Sequence, residues 1–381
     1  VPLALGAFAI ASALATQRLD TATARSGWHG RRWRGRTDAR TDRRPASSAA
    51  VGLPEATAEI IASLGEHRVL STEQVQTIHL PGRSLRRTQQ ILAGIEEAGL
   101  IHHVDTRVAP RRLWFVSERG AALAFELVGL EAQPRVLQAA DAAGPLRAHT
   151  LAVNDAAICF LKAARERGDE FGPFSWRQEV AHPMSRGRGR RRRTLFADAV
   201  LTYLRPEDGD TVLELCFLEL DRATLSVDRL VAELSRYAQL YRATDAEGQP
   251  LWRDRYPVFP RVLCVLTGAS REALTTRRTF ASMLLRDHPA MAQARGEVAV
   301  SFCRLEDLQR KGPFAPIFRE ARDRKRHPAP RGEGAFPVWP RSCRFALPRI
   351  EIGQDFLAGV VADLEARVGL RVFFACFSLG A

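Results

Sequence analysis

Between Ser71 and Gly120 the chain sets two helix caps, a Pro-Gly break and a basic pair of strands in close succession, an order that leaves few folds open. Ser71 stands three residues before Gln74, the spacing of a capping box. In such a box each side chain satisfies an N–H that the helix start leaves without a partner. Val75, Ile78 and, just past them, Leu80 give the following helix an apolar side, and Pro81-Gly82 stops it. Ser84 can cap a second helix, whose Leu85, Leu92 and Ile95 share one face of a 3.6-residue period. Gly99 ends that helix, and residues 100–104 and 112–116 read as short strands around a turn at 105–110.

The outer face of the second helix carries Arg86, Arg87, Gln89 and Gln90, with Arg83 just ahead of the cap. Arginine pairs bidentately with guanine and glutamine with adenine, so this face suits a helix laid in a major groove. Arg107, Arg111 and Arg112 place cations on the ribbon, where phosphates or a minor groove would lie. The order predicts a winged helix-turn-helix over 51–130. Its partner would be double-stranded DNA, gripped through Arg83, Arg86, Arg87, Gln90, Arg107, Arg111 and Arg112. A helical hairpin with a solvated basic face is the blander alternative.

A chain of 381 residues has room for two ordinary domains and a tail, and 46% hydrophobic residues supply a packed core. The net charge of +13, from 56 basic and 43 acidic residues, favours polyanionic partners with salt-sensitive affinity. Lys162, Lys311 and Lys325 are the only lysines, so any chemistry that needs a lysine has three candidates. Cys159, Cys216, Cys264, Cys303, Cys343 and Cys376 form no C-x-x-C pair and suit reduced thiols in a cytoplasmic protein. The apolar first fifteen residues look superficially like a signal sequence but lack a basic start and are too short for a bilayer. Residues 1–50 read as a disordered basic arm, and no segment reads as transmembrane, so no membrane partner is expected.

Beyond the ribbon, 117–130 reads as a helix and 131–146 as a linker rich in Gly, Pro and Ala. Residues 149–167 form an amphipathic helix, after which the period changes: 176–181, 195–204 and 211–221 read as strands, with a turn at 205–210. A helix at 225–242, a strand at 262–266, a helix at 271–286, a strand at 298–302 and a short helix from Leu305 follow. The expected fold is therefore α/β, in the α+β sense: a winged helix followed by a domain over 147–319 in which helices flank a mixed sheet. Residues 320–347 read as a Pro/Arg-rich loop within a 320–381 tail, and 350–367 as a helix able to pack on the core.

Glu179 lies on the first strand of that sheet, Asp198 on the second, and Glu219 and Asp221 at the end of the third. Buried carboxylates require a cation, a metal or hydrogen bonds to offset lost hydration. An Asp and a Glu on neighbouring strands are what Mg²⁺ or Mn²⁺ needs to hold a phosphodiester. Between the first two strands lie Arg186, Arg188 and Arg190, Arg191, Arg192 and Arg193, able to clamp a DNA backbone or simply to form a solvated loop.

The Asp198 and Glu219 layout resembles the PD-(D/E)xK nuclease core, to which Glu179 would add a third acid. That resemblance implies Glu179, Asp198 and Glu219 as catalytic residues; read from the residues themselves, Asp198, Glu219 and Asp221 could hold a metal. More of the chain, from about 60 to 245, resembles the actinobacterial replication-relaxation family. The resemblance rests on Leu113-Trp114-Phe115-Val116-Ser117-Glu118-Arg119-Gly120 and His149-Thr150-Leu151-Ala152-Val153-Asn154-Asp155. Further matching stretches are Trp176-Arg177-Gln178-Glu179, Phe196-Ala197-Asp198-Ala199 and Phe217-Leu218-Glu219-Leu220-Asp221-Arg222-Ala223-Thr224. It implies a DNA-binding accessory protein in replication or transfer of a plasmid or integrative element, with a relaxase, a replication initiator or a second copy as partner. The chain departs from the nuclease pattern at position 221, where Asp replaces the expected lysine, and no lysine lies between 162 and 311. Arg222 or Arg236 could supply charge there, but a guanidinium positions differently from an ammonium. A nuclease, a metal site without turnover, a structural acid–arginine network and a ligand-sensing transcription repressor thus stand beside the leading expectation.

Overall fold

The computed structural model describes residues 54–106, 112–128, 136–142, 144, 147–185, 193–207, 210–294, 296–321 and 345–346. Its first helix, α1 (Glu55–His67), leads through β1 (Leu70–Ser71) into α2 (Thr72–His79) and α3 (Leu85–Glu97). Then come β2 (Ile101–Asp105), β3 (Arg112–Val116) and α4 (Glu118–Val128). The three strands form an antiparallel sheet in the order β1-β3-β2, so β1 adds a strand that the pattern of residues did not suggest.

The helix starts have the expected chemistry. Gln74 N donates to Ser71 Oγ at 3.2 Å and Ser71 N donates to Gln74 Oε1 at 3.1 Å, closing the capping box. Ser84 Oγ accepts from Arg87 N at 3.2 Å. Leu92 and Ile95 of α3 are buried, but Leu85 is 36% exposed, which corrects its placement on the core face. Thr88, fully buried, takes the inward position one turn later, and its hydroxyl donates to Ser84 O at 3.2 Å.

A short helix, α5 (Ala139–Ala142), lies within the expected linker and precedes α6 (Arg147–Arg167). Next come β4 (Trp176–Pro183), β5 (Thr194–Glu207), β6 (Asp210–Asp221) and α7 (Val227–Arg242). They are followed by β7 (Arg261–Leu266), α8 (Arg271–Asp287), α9 (Pro289–Gln293), β8 (Val300–Arg304) and α10 (Leu305–Lys311). Two short strands, β9 (Arg319–Glu320) and β10 (Phe345–Ala346), complete a mixed sheet ordered β4-β5-β6-β7-β8-β9, with β10 pairing to β6. Strands β6, β7 and β8 run parallel, while β4 to β5, β5 to β6 and β8 to β9 are antiparallel pairs. The fold class is thus α/β with a mixed sheet, as the alternation of periods implied.

Two boundaries are corrected. The turn expected at 205–210 is mostly strand, with Pro206 paired to Thr211 and Glu207 to Asp210. The polar sequence misleads there because Arg205 is neutralised in the interior: its Nε donates to Glu214 Oε1 at 2.9 Å, and both side chains are buried. The loop expected at 320–347 carries strand residues at both ends, Arg319–Glu320 pairing with β8 and Phe345–Ala346 with β6. The basic arm expected at 1–50, Arg107, Arg111, Arg186, Arg188, Arg190, Arg191, Arg192 and the C-terminal helix at 350–367 lie outside the described residues.

Alternate residues of the central strands face different layers. Cys216, Leu218, Leu220, Leu263 and Val265 pack toward α6 and the N-terminal helices, whereas Leu215, Phe217, Val262, Cys264 and Leu266 pack toward α7 and α8. Burial on both faces explains their near-continuous apolar runs. Helix α6 has apolar residues around most of its girth because it too is covered on both sides. Its buried Asn154 donates from Nδ2 to Val69 O at 3.1 Å and accepts at Oδ1 from Trp176 Nε1 at 3.3 Å and from Gln178 Nε2. One amide thereby ties the segment after α1, helix α6 and strand β4 together.

His67 closes α1 against the same strand. Its ring stacks on Trp176 with centroids 4.3 Å apart, and Nε2 donates to Pro173 O at 2.8 Å. Burial pushes the His67 imidazole down to about 3, against the pull of that hydrogen bond. Burial and then the charge of Arg255 push His182 down to about 4. Both are neutral in the fold, whereas the unfolded chain protonates them below 6.5. Their contribution is complete above that value and is lost as pH falls toward 3–4. Melting temperature should therefore fall steadily as pH is lowered from 6.5 to 4, with His67 contributing on the order of 5 kcal/mol at full titration. In His67→Gln the protein should melt lower at neutral pH but lose less on acidification. An equally steep acid limb in the variant would show that His67 does not set it.

Candidate functional site

Strands β4, β5 and β6 bring the sequence-expected acids to neighbouring positions. Gln178 pairs with Ala199 and Val180 with Ala197, which puts Glu179 opposite Asp198. Ala199 pairs with Leu218, so the next step along the ladder sets Asp198 beside Glu219. The backbone is unusual there: Glu179 has a φ of 48°, a left-handed conformation that carries strain for a side chain with a Cβ. The strand reverses faces across it. Trp176 and Gln178 meet Asn154 on the α6 side, while Val180 and His182 pack among residues of the α7 layer. On β5 the same change occurs around Asp198, with Leu195 and Ala197 in one layer and Ala199 and Leu201 in the other.

Each acid has its own partner. Asp198 Oδ1 lies 3.0 Å from His149 Nε2, at the start of α6, and Asp198 Oδ2 accepts from Leu220 N at 2.8 Å. Glu219 Oε1 accepts a hydrogen bond from the hydroxyl of Tyr237, a buried residue of α7. Glu179 Oε2 lies 2.5 Å from Arg68, itself at a φ of 66°. Asp221 is held by Arg277 of α8, whose Nη2 donates to Oδ1 at 2.9 Å while Nε donates to Oδ2. The acid–arginine pairing imagined with Arg222 or Arg236 is thus made by Arg277, and Arg236 instead donates to Thr194 O at 2.5 Å. After Asp221 the chain turns through Ala223, at a φ of 56°, whose N–H donates to Asp221 Oδ1 at 3.1 Å. Gly268 is needed opposite that turn, since a Cβ there would stand 2.4 Å from Arg222 O.

The electrostatics follow from crowding. Burial raises the Glu219 carboxyl well above the usual carboxylate range, and the charges of Asp198 and Glu233 add to it while the Tyr237 hydroxyl opposes them. Burial also lifts Glu233, again with help from Asp198. Burial works against a charge on His149, but its hydrogen bond to Asp198 and that carboxylate's charge outweigh it and hold the imidazolium above its ordinary range. The arrangement favours a protonated His149 against Asp198 and a protonated Glu219 beside them, an acidic cluster at the carboxyl end of β6.

Among the described residues no group of three His, Cys, Asp or Glu side chains is placed to hold a metal ion. Asp198 and Glu219 are adjacent, but the third expected ligand, Asp221, turns to Arg277. The donor set as it stands does not fit a three-carboxylate Mg²⁺ or Mn²⁺ site.

The basic residues divide differently. Arg86, Arg87 and Gln90 lie exposed on the outer side of α3, opposite Thr88, Leu92 and Ile95, with Arg83 exposed just ahead of the cap, and Arg87 donates to Gln90 Oε1 at 3.3 Å. Arg112 is committed to Asp105 across the β2–β3 ribbon, at 2.8 and 3.1 Å. Arg193, at the start of β5, donates to Gln239 Oε1 of α7 at 2.6 Å.

His149, Tyr237, Glu233, Arg277 and Arg68 were not singled out from sequence. His149 could have been found: it opens the stretch His149-Thr150-Leu151-Ala152-Val153-Asn154-Asp155, and a histidine at the half-buried start of an otherwise apolar helix has little packing to do. Tyr237 reads as core, and nothing in the sequence pairs Arg277 with an aspartate 56 positions earlier.

Because Glu219 has a raised folded value, its contribution is complete below the ordinary carboxylate range and is lost as pH rises through the raised one. Glu219→Gln keeps an oxygen for the Tyr237 hydroxyl and removes the ionisation, so the variant should melt higher than the native protein at pH 8 and about equally near pH 4. A lower melting temperature at pH 8 would show that Glu219 is ionised and usefully paired.

A family model described as replication-relaxation matches residues 61–251, from α1 past the end of α7, and so takes in His149, Glu179, Asp198, Glu219, Asp221 and Tyr237. No curated protein and no solved structure matches the chain. The family match covers just over half of the 381 residues. The chain belongs to the replication-relaxation family.

Proposed function

We propose that the protein is a sequence-recognising DNA-binding accessory factor in the replication or transfer of a plasmid or integrative element. Family membership supports a role in replication. The observation that carries the reading further is the outer face of α3. Its arginines and glutamine lie exposed on a helix whose opposite side is buried and whose start is capped, beside a two-stranded ribbon. This supports reading the segment as a winged helix, in which the second helix of the pair would read base edges and the ribbon would meet the backbone. On this reading residues 51–130 bear the recognition unit and 147–319 a nuclease-like α/β unit that offers a second surface. Arg107, Arg111 and Arg190–Arg193 would contact phosphates, and a relaxase, an initiator or a second copy would be partners. No helix among the described residues is long and apolar enough to cross a membrane, and the proposed place of action is the cytoplasm.

Arg86→Ala with Arg87→Ala should abolish preference for the cognate site in a binding assay while leaving general DNA affinity largely intact. Replacing Arg190, Arg191, Arg192 and Arg193 by Ala should weaken binding to every sequence and flatten the salt dependence. Equal losses of specific and non-specific binding in both variants would refute this division of labour.

A metal-dependent endonuclease is the second reading, favoured by the contiguity of Asp198 and Glu219 and by the strained Glu179 beside them. The pairing of Asp221 with Arg277 and the absence of a lysine at 221 weigh against turnover. Supercoiled plasmid incubated with the protein and Mn²⁺ should remain uncut, and millimolar Mg²⁺ should leave the melting temperature unchanged. Nicked product that disappears in both Asp198→Ala and Glu219→Ala would make the protein a nuclease.

A further inference from the structure

A polar cavity lies away from the acids, beyond the carboxyl ends of the parallel strands β7 and β8, the edge at which open α/β sheets bind ligands. It measures about 210 Å³ and is lined from four elements: Arg271 and Arg278 from α8, Arg304 from the end of β8, Lys311 from α10 and Arg319 from β9. Asp307 is the one carboxylate on its wall. Asp307 is shared by Arg304 and Arg310, and Arg271 lies 3.6 Å from Glu306 outside the cavity. Among the described residues Arg278, Lys311 and Arg319 form no ion pair, and Arg304 Nη1 is buried without a hydrogen-bond partner. Burial, and after it the charges of Arg319 and Arg304, hold the Arg278 guanidinium below its ordinary range against the pull of Asp307.

Like charges brought this close cost free energy unless an anion offsets them. The cavity is smaller than the roughly 300–1,000 Å³ typical of sites for whole organic ligands, so it has room for the anionic group and not for a base. Planar guanidiniums in several orientations match the oxygens of a phosphate. We infer that this cavity is a phosphate-binding site in which Arg278, Arg304, Arg319 and Lys311 clasp one phosphate group. The group belongs either to a nucleic-acid backbone as a diester or to a free or terminal monoester. The chemistry is the same in both cases.

Thermal shift and titration calorimetry with sodium phosphate against sodium chloride at constant ionic strength would test it. Phosphate should raise the melting temperature saturably, and Arg278→Ala with Arg319→Ala should weaken the half-saturating concentration by about tenfold or more, as expected when charge-assisted contacts are removed. Arg319→Ala alone, on an exposed edge-strand residue, gives a smaller shift of the same sign in a protein whose core is untouched. A dinucleotide with one internal diester and no terminal phosphate, compared with thymidine 5′-monophosphate, identifies the source: a response to the first assigns a backbone phosphate, a response to the second alone a monoester. The phosphate response should persist in the Arg86→Ala, Arg87→Ala variant, which separates this site from DNA recognition by α3. No difference between phosphate and chloride in the native protein, or an unchanged response in the double Arg278, Arg319 variant, would overturn the assignment.

Discussion

The buried amide of Asn154 is the constraint around which the rest of the protein is arranged. Helix α6 has to satisfy neighbours on two sides at once, and an apolar side chain at that position would leave the Val69 carbonyl and the Trp176 indole N–H without partners. Leaving a buried polar group unsatisfied costs roughly 1–3 kcal/mol, so Asn154 binds three segments that apolar packing alone would bring together without a fixed register. The neighbouring contacts act in the same direction. Gln74, already spent on the capping box, donates its Nε2 to Leu151 O at 2.9 Å and Asp155 Oδ1 at 2.7 Å. Arg165 reaches the carbonyls of Thr77 and Ile78 at 2.5 Å, so the end of α2 is stabilised from α6. The basic face of α3, one turn further along the chain, inherits its orientation from these bonds.

The acidic edge of the sheet shows the opposite economy. Two adjacent strands reverse faces at directly opposed residues, and the acids at and beside that reversal are divided among a histidine, a tyrosine and two arginines. Strain of this kind persists only where surrounding structure enforces it. The close approach of Gly268 to Arg222 and the Thr267 N–H bond to Asp221 O, at 2.8 Å, provide the enforcement at the end of β6. With Asp221 withdrawn to Arg277 and Glu219 favouring its neutral form, the edge is better suited to hold and exchange protons than to gather a divalent cation.

Most elements were legible because their signals are local. Ser71 with Gln74, Ser84, the Pro81-Gly82 break and the apolar runs of β6 and β7 each act within a few residues, and the structure places helices and strands where they fall. Errors arose where a distant residue altered the meaning of a local one. Arg205 reads as a turn residue until Glu214 neutralises it across the hairpin. Leu85 reads as core until Thr88 takes the inward place. The acids were found because carboxylates inside apolar strands are conspicuous. Their partners were not, since no periodicity links Asp221 to Arg277 or Asp198 to His149. The face reversal at Glu179 is likewise invisible in a strand whose neighbours on both sides look regular.

The shared core also bears on the order in which the chain can become a protein. Ile60, Ile61, Leu64, Leu70 and Ile78 belong to one apolar cluster with Ala152, Ala156, Phe160 and the strand residues Trp176, Leu201 and Leu218. During synthesis the N-terminal helices emerge well before α6 and the sheet that cover them. Until β6 has been made, they present an apolar surface to the cell, and contacts this distant in sequence are slow to close. The nascent chain would therefore be a client for chaperones through much of its translation, and a ribosome pause before β6 would expose more of it than a pause after.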